Sequence, residues 1–213
     1  MSALIALEGL DLAALLCSRV CHDLISPVGA IMNGLEVMEE DKDDIETKTF
    51  AMDLIKKSAR TASAKLQFCR LAFGAAGSAG AQIDSGDAEK ATRGLIEDEK
   101  TKITWNLPRV LMPKNRVKLL LNMLLIAGQS IPRGGKLVVD PVGEGDGMGF
   151  RISATGGYAK VPQAVPELLA GGSHDGSVDA HAVQPYYTGL LARDCGLTVG
   201  AASEGDAIVV AAR

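Results

Sequence analysis

The sequence predicts an α+β protein in two parts, an N-terminal helical hairpin followed by an α/β sandwich domain. Three observations carry this. Apolar residues recur at steps of three and four through roughly the first seventy positions, which is the helical period. A Gly/Ala/Ser-rich stretch, GAAGSAGAQIDSG at 74–86, then interrupts the rhythm as a linker would. Beyond it, short β-prone runs alternate with helical patterns.

Between 9 and 38, Ala13, Leu16, Val20, Leu24, Pro27, Ile31, Leu35 and Met38 mark the apolar stripe of one long helix. EEDKDD makes a charged turn, a solvated hairpin connection. Helical spacing resumes over 45–75 through Ile45, Met52, Ile55, Ala59, Ala62, Leu66, Cys69 and Phe73. A lone helix pair leaves such a stripe open to water, whereas about four helices close a core. Two copies of the hairpin supply four, so the pattern predicts a homodimer around a four-helix bundle. The hairpin is assigned residues 1–76 and the second domain 77–213.

In the second domain KITWNL, KLVVDPV, MGFRISA, LTVGAA and AIVVAA read as strands. Residues 87–100, 114–131 and 182–194 read as helices, with Pro113 at the opening of the second of them. Strands and helices in that mixture pack as layers of a sandwich.

Composition narrows the function classes. With 47% apolar and 4% aromatic residues the chain reads as an ordinary globular protein. Its net charge is −4, and basic and acidic residues interleave, so no basic stripe is available for nucleic acid. The N-terminal twenty residues lack a basic run, contain Glu8 and Asp11, and do not sustain the roughly 20 apolar residues of a membrane span. A cytoplasmic protein without membrane contact is expected. Cys17, Cys21, Cys69 and Cys195 form no CxxC pair and are expected to be reduced thiols used as small buried apolar side chains.

The stretch SRVCHDLISP (18–27) carries the chemistry. At about 100° per residue His22 falls roughly 160° from the centre of the apolar stripe, so it should face solvent. Leu15, Ser18, Gly29 and Asn33 share its face, with Ser26 one turn on, and these mostly small side chains leave room for another surface. Asp23 is adjacent, and Pro27 removes the N–H that the Asp23 carbonyl would otherwise accept, at a cost of about 3 kcal/mol in an ordinary helix. That cost is understandable if geometry beside the histidine matters.

HDLISP resembles the H-box of two-component histidine kinases, in which a histidine on the first helix of a dimeric hairpin accepts the phosphoryl group. LLLNMLLIAGQSIPRGGKLVV (119–139) is similar to the N-box stretch of their ATP-binding domain, which implies a Bergerat-like, histidine-kinase ATPase-like sandwich. In the register set by Asn122 and the PRGG turn, the magnesium asparagine falls on Ile126 and the adenine-reading aspartate on Ala154. The phosphate-wrapping glycines correspond to Ala182 through Gln184 and the following proline. Losing all three implies a vestigial site that binds no ATP.

A phosphoacceptor hairpin with a degenerate ATP domain and no receiver domain resembles the histidine phosphotransferases. That resemblance implies His22 as phosphoacceptor and Asp23 as ring-orienting group or proton acceptor, with Arg19, Ser26, Gly29 and Asn33 as receiver-docking candidates. It implies as partners the receiver domain of a hybrid histidine kinase and response-regulator receivers that control the cell cycle, with magnesium supplied by the receiver and no cofactor on this chain. An active kinase with a divergent nucleotide site and a non-catalytic receiver-binding adaptor are the alternatives. Ser26 stands where phosphatase-active kinases carry Thr or Asn.

Two metal readings compete. Cys17, Cys21 and His22 are close along the helix, but the thiols and the imidazole project to opposite sides, so packing is preferred over zinc. His174, Asp175, Asp179 and His181 gather in a Gly-rich loop expected over the vacated nucleotide site. No metal site is expected there either.

Overall fold

A computed structural model of the chain describes residues 3–40, 44–74, 80–173 and 176–213. Helix α1 (Gly9–Glu40) and helix α2 (Ile45–Ala72) form the predicted hairpin. Asp44 caps α2: its carboxylate accepts the Glu46 N–H at 3.0 Å and the Thr47 hydroxyl at 2.6 Å, filling orphan donors of the first turn. The seam between the helices is tight at Gly34, where a Cβ would sit 2.7 Å from Ile55 Cγ1 and 3.2 Å from the Ala51 carbonyl.

The apolar stripe is only partly covered, because one neighbouring helix shields one side. In α1 only Pro27 and Gly34 are buried. Val28, Met32 and Leu35, the last expected inside, remain 49%, 52% and 43% exposed. On α2 Phe50 and Leu66 are open as well. The cysteine expectation is corrected for the same reason: Cys69 is buried and Cys195 half-buried, whereas Cys17 and Cys21, on the stripe of Val28 and Leu35, are exposed. By length and composition alone α1 is long and apolar enough to cross a membrane, with mean hydropathy 1.3 over its most apolar stretch. Within the single chain only the side around Pro27 and Gly34 is closed, and most of its apolar surface stays open.

Five strands form the main sheet in the order β3 (Thr101–Trp105), β5 (Gly135–Val142), β6 (Gly149–Thr155), β9 (Ala207–Ala212), β8 (Val199–Glu204). The β3–β5 pair is parallel and the others are antiparallel. Helices α3 (Ser85–Ile96), α4 (Lys114–Gln129), α5 (Val165–Leu169) and α6 (Val183–Asp194) complete the α/β domain. Helix α4 is buried through most of its length, and Leu120, Leu124 and Ile126 join Leu137, Phe150, Ile152 and Val210 of the sheet in one core. Four more strands are short: β1 (Ala3–Leu4) pairs with β7 (Gly172–Ser173), and β2 (Gln82–Asp84) with β4 (Leu111–Pro113).

The expected linker is therefore corrected at its end. Residues 82–84 are β2, and Asp84 caps α3 by accepting the Gly86 N–H at 2.7 Å, so α3 starts two residues before the expected 87. It also stops earlier, at Ile96. Glu97 is extended, and the Asp98 carboxylate instead takes the N–H groups of Lys100 and Thr101 in a turn leading into β3.

The α/β domain is held on the hairpin by the packing of Phe68 and Ala72 of α2 into its core and by hydrogen bonds. Asn122 Nδ2 in α4 donates to the Ala72 carbonyl at the end of α2, at 3.1 Å. The segment after β1 is tied to the domain, where Ile5 N–H bonds the Gly171 carbonyl and the Tyr186 hydroxyl donates to the Ile5 carbonyl at 3.0 Å.

Inside the domain α5 and α6 meet at Gly189, where a Cβ would lie 2.2 Å from the Leu169 carbonyl oxygen. Gly189→Ala should lower stability by about 1–3 kcal/mol in urea unfolding by forcing the helices apart. Gly94→Ala in α3, whose Cβ meets nothing within 4 Å, should raise it by about 0.5–1 kcal/mol.

Candidate functional site

His22 is exposed on the first half of α1. Ser26 and Asn33 are exposed beside it, and at Gly29 a Cβ would meet nothing within 4 Å. The face that helical spacing assigned to His22 is thus open at Ser26, Gly29 and Asn33, with the exposed Ile25 at its edge. One further residue approaches from the α/β domain: the His181 ring lies 5.9 Å from that of His22, centroid to centroid, tilted by 34°. His181 sits just ahead of α6, and the Asp179 carboxylate anchors that loop by accepting the N–H groups of His181 at 2.8 Å and Ala182 at 2.7 Å.

Sequence reasoning did not pair the two histidines. It grouped His181 with His174 and Asp175, which lie outside the described residues. No spacing rule links α1 to a loop near the far end of the chain. Among the described residues no group of three or more His, Cys, Asp or Glu is placed to hold a metal ion.

Asp23 has another partner. Its carboxylate accepts the Arg19 Nε–H at 3.0 Å, with the two side chains 34% and 14% exposed. Arg19, expected among the receiver-docking candidates, is engaged in the same pair. The Asp23 carbonyl, which has no helical donor because Pro27 lacks an N–H, accepts Lys65 Nζ of α2 at 2.7 Å. A cross-hairpin bond thus replaces the missing helical one, and α1 runs unbroken through Pro27. Nearby, burial pushes the Cys69 thiol up to about 11, with the charge of Asp23 adding to the effect.

On the other side of Asp23 a cavity of about 700 Å³ opens between the two parts of the chain. Arg19, Asp23 and Lys65 line it from the hairpin, and Asp98, Lys100 and Arg133 from the α/β domain.

The positions assigned to a vestigial nucleotide site are filled. Ile126 and Ala154 are fully buried members of the core. Gln184, also fully buried, donates from Nε2 to the Asn122 carbonyl at 2.9 Å, to Asn122 Oδ1 and to Thr188 Oγ1. Ala182 forms the half-buried start of α6.

A hairpin bearing an exposed histidine and an α/β domain with apolar side chains at those positions define a class, and the comparisons agree. Residues 85–207, more than half the chain, match the family described as histidine phosphotransferase C-terminal domain, and the chain belongs to that family. Protein phosphotransferase ChpT of Brucella abortus (strain 2308) is 52% identical over 212 residues, covering 100% of each chain. A solved structure of a bacterial phosphotransferase superposes with TM-score 0.89 at 50% identity, over 99% of this chain and 100% of that one. Phosphotransferase activity is the function these relatives carry in their names.

The Lys65 bond is open to a double-mutant test. Lys65→Met should cost about 1–3 kcal/mol, the price of an unsatisfied carbonyl. In a Pro27→Ala background, where the backbone N–H returns to the Asp23 carbonyl, the same change should cost clearly less. Urea unfolding of the four proteins reads the coupling.

Proposed function

We propose that the protein is a homodimeric histidine phosphotransferase of a multistep phosphorelay. His22 takes a phosphoryl group from the receiver aspartate of a hybrid histidine kinase and passes it to receiver aspartates of response regulators controlling the cell cycle. The observation that carries this reading is the exposed imidazole on a face of small residues, Ser26, Gly29 and Asn33, where a second protein surface can approach.

The chemistry asks little of the chain beyond placement. A ring nitrogen of His22 attacks phosphorus, the N–P bond forms, the acyl-phosphate P–O bond breaks, and the aspartate leaves as a carboxylate. Passing the group onward reverses these steps. Such transfers have a loose transition state, so alignment and neutralisation of the phosphoryl oxygens dominate. Magnesium arrives with the acidic pocket of the receiver. Asp23 Oδ2 is held by Arg19, which leaves its second carboxylate oxygen for ring orientation or proton acceptance and keeps the guanidinium close to the incoming charge.

In this reading the α/β domain binds no ATP. Ile126 offers no ligand for a hard cation and Ala154 no acceptor for an adenine amino group. Val28, Met32 and Leu35 of α1 and Leu66 of α2 form the stripe that a second hairpin covers, completing a four-helix bundle. The relay runs in the cytoplasm, without nucleic acid or membrane.

His22→Ala should keep the wild-type unfolding midpoint and lose label transfer from a phosphorylated receiver. Transfer at the normal rate in that variant would end the proposal. Incubation with labelled ATP and magnesium should leave the protein unlabelled. The dimer has its own readout in Cys17 and Cys21, exposed in the single chain and lying on the apolar stripe. Their alkylation should slow as protein concentration rises through the dimerisation range, and rates that ignore concentration would count against the bundle.

A further inference from the structure

We infer that His181 is a positioning residue that the α/β domain lends to the phosphoacceptor, donating an N–H to the phosphoryl group once His22 carries it. The inference rests on His22 being the acceptor. It starts from the ring pair, 5.9 Å between centroids and 34° between planes. Both histidines are exposed, so burial does not account for their meeting.

The surroundings hold His181 in place. Asp179 fixes the backbone of the loop through the His181 and Ala182 N–H groups. One turn into α6, Tyr186 is tied to the N-terminal strand through its hydroxyl, which donates to the Ile5 carbonyl and accepts the Leu7 N–H at 3.4 Å. Gln184 bonds α6 to Asn122 of α4, which is itself bonded to the end of α2. Helix α6 is thus anchored at both the strand and the hairpin, and His181 is carried at its leading end. Asp23, the residue next to His22 in sequence, is meanwhile paired with Arg19.

The chemistry follows from charge. A phosphoryl group on His22 brings about two negative charges and several acceptor oxygens. An imidazole always keeps at least one N–H donor, and a donor to an anionic oxygen forms a charge-assisted bond. His181 takes no phosphoryl group itself and forms no covalent bond. It gives the α/β domain a part in transfer that does not involve nucleotide.

Phosphoramidate tests this without a receiver. Its P–N bond breaks, ammonia leaves with the proton, and the N–P bond forms on His22. The fraction of phosphorylated His22 in equilibrium with a fixed phosphoramidate and ammonia pool can be read by phosphorus NMR on the full-length protein. His181→Ala should lower that equilibrium constant about tenfold, the worth of one charge-assisted hydrogen bond, at an unchanged unfolding midpoint. His181→Gln, which keeps an N–H donor, should recover most of the loss, and His181→Phe, which keeps only a ring, should not. An unchanged constant in His181→Ala, or recovery by Phe equal to that by Gln, would overturn the inference while leaving His22 as acceptor. Wild-type protein that takes up no more phosphate than His22→Gln would remove the acceptor reading, and this inference with it.

Discussion

Two helices cannot bury the apolar surface that their own periodicity creates, and most of this structure answers that constraint. Helix α1 has three kinds of side. One, around Pro27 and Gly34, is closed against α2 at backbone-limited distance. A second carries Val28, Met32 and Leu35 and stays open in the single chain. The third, with His22, Ser26, Gly29 and Asn33, is mostly small or polar, with Leu15 and the exposed Ile25 among these groups. Because most of the apolar load falls on the first two, His22 is left accessible for chemistry.

The polar groups displaced by this arrangement find partners across the fold. Pro27 leaves a carbonyl without its helical donor, and Lys65 supplies one from the neighbouring helix. Unpaired, that carbonyl would destabilise the hairpin beside His22. A second buried network, Asn122 with Gln184, Thr188 and the Ala72 carbonyl, joins α4, α6 and the end of α2. Ile126 and Ala154, the positions that the kinase-like register singles out, are buried in the core of the same domain. The loop that this domain presents ahead of α6 carries His181.

The long elements were legible because their signals are redundant. Eight or more apolar positions at helical spacing define α1 and α2 whatever the surroundings, and β-branched runs such as KLVVDPV and AIVVAA need only sheet neighbours to become β5 and β9. Strands β1, β2, β4 and β7 were missed. At two or three residues each they carry no period of their own, and they exist because a partner strand happens to lie alongside. The early end of α3 was missed for a related reason, since a local turn built by Asp98 overrode helix-compatible residues.

The chain by itself determined the α+β division, the outward direction of His22 and the apolar character of positions 126 and 154, because these depend on residue type and on spacing along one element. Only the tertiary structure decided that Asp23 pairs with Arg19, that Lys65 satisfies the carbonyl freed by Pro27, that Cys17 and Cys21 lie open, and that His181 reaches His22. Each of those depends on which surfaces the packing brings together or leaves bare, and a one-dimensional period carries no distance between elements.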